Sequence, residues 1–149
     1  KYNMKILAVQ NRMGIGDTVI FLPYIKALSE KFNSPISILV KKSSKADQYL
    51  YQTKYIDKIL FLERDKEIND RHNGFLGSFN LIKDIKKYNF NKIIIFNSSF
   101  RFNLIAKFSG IKEVYQYPLF QKNNSVLLLL LLTTLSVQIT WMSMLGLIS

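Results

Sequence analysis

The 149-residue chain predicts an α/β fold, a Rossmann-like parallel sheet with helices on both faces. Strand and helix patterns alternate from residue 4 to residue 124, the arrangement that sandwiches a parallel sheet between two helical layers. The strand segments are apolar runs with few polar interruptions, as expected where both faces of a strand are covered. A two-glycine turn follows the first strand directly, at the end of the sheet where such folds keep their ligands.

The first strand is expected over 4 to 10, where Met4, Ile6, Leu7, Ala8 and Val9 make a short, partly β-branched run. Gly14 and Gly16 end it, since residues without a Cβ accept positive φ or the close approach of another group. Helical spacing follows in Val19, Ile20, Leu22, Ile25, Ala27 and Leu28. Pro23 suits a first helical turn, where its missing N–H goes unused. The main helix is therefore placed at about 23 to 32, within a helical signal spanning about 19 to 32. Further strands are expected at 36 to 41, 58 to 62, 92 to 97 and 113 to 116, and further helices at 44 to 52, 76 to 88 and 100 to 109. Residues 63 to 75 are polar and charged and predict an exposed connection, with His72 as a solvated loop residue.

The glycine turn brings Asp17 and nearby backbone N–H groups together at a strand's carboxyl end. As a dinucleotide fingerprint it is incomplete. Gly14-x-Gly16-x-x-Val19 lacks the third glycine, and Val40, Lys41 and Lys42 stand where a ribose-binding acid would follow the second strand.

Composition narrows the chemistry. There is no cysteine and one histidine, so disulfides, thiolate metal sites and Ser-His-Asp triads have almost nothing to build on. Lys and Arg outnumber Asp and Glu by 21 to 10, and every one of these charges lies at or before Lys122. The excess of +11 suits an anionic partner such as nucleic acid, anionic lipid or a phosphorylated sugar. A dispersed lysine-rich surface with no ligand explains it equally well, because the lysines form no dense block. No nucleic-acid module signature accompanies the charge, so nucleic acid is not expected as a partner.

The chain divides into a domain at 1–124 and an uncharged, leucine-rich tail at 125–149. In the tail, 16 of 25 positions are Val, Leu, Ile, Met or Trp. That is long enough to span a bilayer, and Lys107, Lys112 and Lys122 before it would leave the basic domain in the cytoplasm.

The pattern Gly-Ile-Gly-Asp-x-x-x-x-x-Pro at Gly14 to Pro23 resembles the start of glycosyltransferase family nine, the ADP-heptose:lipopolysaccharide heptosyltransferases. The resemblance continues through Tyr24 to Leu28, the strand Ile36 to Val40, and Tyr55 to Ile59. It resumes at Lys92 to Arg101, a strand and a polar turn containing Arg, and at Asn103 to Lys112. Order and spacing carry it rather than any single motif, and it covers the amino-terminal half of a two-domain enzyme. Such enzymes continue after Tyr115 to Phe120 into a second Rossmann-like domain, so the tail is also readable as an out-of-frame or truncated end.

The resemblance implies transfer of a heptose-like sugar from a nucleotide-diphosphate donor to a lipid-linked, lipopolysaccharide-type saccharide, with inversion and without a metal or other cofactor. It implies a cytoplasmic enzyme, peripheral at the anionic inner face of the cytoplasmic membrane. Asp17 would be the catalytic base, since a carboxylate near a helix start tends to stay ionised and can take the acceptor hydroxyl's proton. Capping of the helix is its structural alternative. Gly14, Gly16, Arg12, Ser98, Ser99 and Arg101 would bind the acceptor, Arg101 through two-pronged bonds to phosphate or carboxylate in the same crevice as Asp17. Phe102 stands where related enzymes often have Ser. The donor would bind mainly to the missing second domain, so this chain alone is expected to be inactive. A nucleotide- or phosphate-binding module that is not an enzyme, and a membrane-anchored basic scaffold, are the rival readings. The aromatic residues are expected in the core and lining the crevice.

Overall fold

The computed structural model describes residues 4–11, 14–64, 70–97, 99–116 and 142–146. Its centre is a five-stranded, all-parallel sheet of β1 (Ile6–Val9), β2 (Ile36–Lys41), β3 (Ile56–Leu62), β4 (Lys92–Ile95) and β5 (Glu113–Gln116). The strand order is β3-β2-β1-β4-β5. Successive strands step outward one way from β1 to β3, and the other way from β4 to β5. The order therefore reverses between β1 and β4, where an open parallel sheet leaves a crevice at its carboxyl ends.

The sheet is continuous because β1, β2 and β4 are buried along nearly their whole length. Side chains alternate between two cores. Ile6 and Ala8 face one core with Ile36, Ile38 and Val40, closed by Ile25 and Leu28 of α1 (Ile15–Phe32) and by Ala46 of α2 (Ala46–Tyr49). Leu7 and Val9 face the other, closed by Leu81 and Ile85 of α3 (Gly74–Lys86) and by Phe102, Ile105 and Ala106 of α4 (Phe100–Phe108). The period of two along each strand thus assigns each residue to a helical layer.

The expected strands and helices are all present, with one shift that matters for the site. α1 begins at Ile15 rather than near Pro23, which lies inside the helix. Pro23 cannot donate to the Val19 carbonyl, a defect costing about 3 kcal/mol in a helix interior. Burial of Ile25 and Leu28, worth roughly 1.5–3 kcal/mol each, outweighs it and keeps the helix whole. Asn33 ends α1 at φ 46 and ψ 43, a left-handed cap whose N–H returns to Glu30.

His72 corrects the expectation of a solvated loop. It is 4% exposed, with Nδ1 accepting the Glu63 N–H at 3.0 Å and Nε2 3.1 Å from Asp84 Oδ2. Since Nδ1 accepts, Nε2 carries the hydrogen that meets Asp84. The carboxylate also takes bonds from Arg71 and Lys87, each at 2.9 Å. The charged connection is therefore pinned to α3 at its end. Residues 117–141 lie outside the described residues, so the expected tail is not described beyond 142–146, where Leu145 is buried. Among the described residues no helix is long and apolar enough to cross a membrane.

Candidate functional site

The crevice is built from the exits of β1 and β4. Gln10 N–H donates to Leu39 O and Phe96 N–H to Val9 O, both at 3.0 Å, so the chain leaving β1 stays held between its two neighbours. Gly14 then turns with φ 102 and ψ 161, a conformation that disfavours any residue with a Cβ. Its carbonyl accepts from both the backbone N–H and the hydroxyl of Thr18, at 3.4 and 3.2 Å. α1 thereby starts at the crevice with no side-chain cap on its first N–H groups.

Asp17 lies in that first turn, half-buried. Among the described residues no hydrogen bond or ion pair engages its carboxylate, so it is not spent as a helix cap. Among the described residues, and apart from its own neighbours along the chain, a Cβ added at Gly14 or at Gly16 would meet no atom within 4 Å. Beside the carboxylate is thus open space bordered by backbone donors. Phe21 and Tyr24 of α1 extend this wall and pack with Phe96 beyond β4, with ring centroids 5.2 to 6.4 Å apart.

On the β4 side, Gln116 organises the polar turn. Its Nε2 donates to Ser99 O at 2.8 Å and to Asn97 O at 3.3 Å, while its Oε1 accepts from Asn103 at 2.7 Å. The Asn97 carboxamide is shielded from solvent, and among the described residues neither its nitrogen nor its oxygen has a hydrogen-bond partner. Motif spacing did not single out Asn97 or Gln116. The first follows the fourth strand and the second ends the fifth, so the strand order, not the sequence, brings them together.

Of the expected acceptor-binding residues, Gly14, Gly16 and Ser99 line this end of the sheet, whereas Arg12 and Ser98 lie outside the described residues. Arg101 is not brought to Asp17. Its guanidinium turns toward α3, donating from Nε to Ser78 Oγ at 3.0 Å and from Nη2 to His72 O at 2.5 Å and Gly74 O at 3.3 Å. Burial, with the nearby Arg64 charge, lowers its pKa below the ordinary guanidinium value. Arginine nonetheless stays charged at neutral pH. What Arg101 does in this structure is tie the entrance of α4 to that of α3.

Comparison with protein-family models finds no match, and comparison with curated proteins finds none either. Among solved structures, the glycosyl transferase family 9 protein from Veillonella parvula has a TM-score of 0.71 and 14% identity over 100% of this chain. The ADP-heptose LPS heptosyltransferase II of E. coli has a TM-score of 0.55 and 17% identity over 76% of it. The chain spans 44% of the first protein's length and 30% of the second's. The likeness is one of fold: a Rossmann-like α/β domain of the kind found in these transferases.

Proposed function

We propose that this chain is the acceptor-binding, amino-terminal part of an inverting sugar transferase, with Asp17 as the base that activates the acceptor hydroxyl. The observation that carries the reading is a half-buried carboxylate with no partner among the described residues, at the open start of α1 where the strand order reverses. Gly14 and Gly16 leave room for the attacking sugar beside the uncapped N–H groups at the start of α1. As the hydroxyl oxygen attacks the anomeric carbon, its proton passes to Asp17 and the bond to the nucleoside diphosphate breaks.

The donor in this reading is a nucleotide-diphosphate sugar of the heptose class, held mainly by a second domain. The acceptor is a lipid-linked saccharide of lipopolysaccharide type, met at the inner face of the cytoplasmic membrane. No metal is assigned a role. Arg101 contributes indirectly, by holding α4 and the turn before it.

The test is Asp17→Asn in an intact two-domain enzyme carrying this acceptor half. Removing a general base is expected to lower kcat by about 10²–10⁴-fold with acceptor affinity little changed. Turnover within a few-fold of the parent would sink the base assignment.

A further inference from the structure

The expectation that the aromatic residues lie in the core or the crevice fails on one face. Phe75 is 79% exposed, Phe100 63% and Phe108 65%, with Phe79 half-exposed. They are not scattered: together with Ile82 and Leu104 they line a groove of about 600 Å³ between α3 and α4. Phe75 and Phe79 meet edge to face, with ring centroids 5.1 Å apart. A contiguous apolar groove with outward-facing phenylalanines is a surface that solvent does not favour.

The charges around it indicate what covers it. α3 and α4 carry Lys83, Lys86, Arg101 and Lys107 against a single acid, Asp84. That acid is already bonded to Arg71, His72 and Lys87. Lys86 and Arg101 lie on the groove itself. A second copy seated face to face would set these cations against one another. An anionic bilayer meets both requirements, with lipid headgroups for the cations and an acyl boundary for the rings.

We propose that the α3–α4 face docks on an anionic membrane surface, with Phe75, Phe79, Phe100 and Phe108 entering the headgroup boundary and Lys86 and Lys107 pairing with lipid phosphates. The inference rests on the membrane-associated reading above for its partner, and not on Asp17 as the base. The groove reaches the entrances of α3 and α4, at the carboxyl end of the sheet. Docking would therefore present the crevice to a lipid-linked acceptor without extraction from the bilayer.

The experiment is co-sedimentation of the 149-residue chain with phosphatidylcholine vesicles, with and without phosphatidylglycerol. Binding is expected only with the anionic lipid. Phe75→Ser with Phe79→Ser should weaken partitioning about tenfold, from the apolar area withdrawn. Lys86→Glu should weaken it about fivefold or more. Both variants should melt as the parent does and retain any saccharide-induced changes at the crevice. Partitioning that survives both substitutions would assign it to another surface, the leucine-rich segment included, and overturn the proposal. So would equal binding to neutral vesicles, or a dimer that the phenylalanine substitutions dissociate. Docking without any saccharide binding would leave this proposal standing and count against the acceptor reading instead.

Discussion

Two helical glycines should answer the same substitution with opposite signs. Helix propensity alone favours alanine over glycine by about 1 kcal/mol at either position. At Gly77, in the first turns of α3, a Cβ would fall 2.2 Å from the His72 carbonyl carbon and 2.6 Å from its oxygen. Those are backbone atoms, so no rotamer change relieves the clash. Overpacking costs about 1–3 kcal/mol. Displacing His72 also strains its contacts with Arg101, Asp84 and Glu63, each worth about 1 kcal/mol. After subtracting the propensity gain, Gly77→Ala should destabilise the domain by about 2–4 kcal/mol, a drop in Tm on the order of 10 °C. Gly16→Ala meets no atom within 4 Å and should be neutral or raise stability by up to about 1 kcal/mol. Thermal unfolding followed by circular dichroism reads both. A Gly77→Ala protein as stable as the parent, or as Gly16→Ala, would refute the packing of residues 70–73 against α3.

The same region carries a pH dependence. Burial alone would raise the Asp84 pKa, but hydrogen bonds from Lys87 and His72 and the charge of Arg71 outweigh it, so the net direction is down from 3.8. A carboxyl held lower in the folded state contributes stability that is complete above its unfolded pKa of about 3.9 and is lost as pH falls through the folded value. Urea titrations from pH 6 to pH 2 should therefore show the difference between the parent and Asp84→Asn shrinking below about pH 4. At neutral pH that difference should be only about 1 kcal/mol, because the Arg71 and Lys87 side chains are largely in solvent. Arg101→Lys keeps the charge but not the fork that reaches Ser78, His72 and Gly74, and should cost about 1–2 kcal/mol in the same assay. Acceptor binding weakened at unchanged stability would instead return Arg101 to the crevice.

The sheet was legible because its strands are two-sided. Ile38 to Val40 and Ile93 to Ile95 contain no polar residue, and such runs leave little choice but a covered parallel sheet. The start of α1 was misplaced by a local rule. Pro23 is a good first-turn residue, and only the tertiary burial of Ile25 and Leu28 shows why the helix passes through it. His72 was misjudged for a related reason. A charged stretch reads as solvated until the fold supplies partners, here Asp84 from twelve residues on. The turn that carries Asp17 was legible because glycine spacing is local. Asn97 and Gln116 were not, since the strand order that joins them is a property of the whole sheet.

The crevice beside Asp17 is expected to take a saccharide. The most direct test is a titration of the 149-residue chain with a phosphorylated oligosaccharide and, separately, with nucleoside diphosphates, following the amide resonances of Gly14, Gly16, Asp17 and Asn97. The saccharide is expected to shift these four resonances together and to saturate, whereas the nucleotides are expected to bind only weakly. Tight nucleotide binding at the glycine turn with no response to saccharide would contradict that expectation and make the chain a nucleotide-binding module.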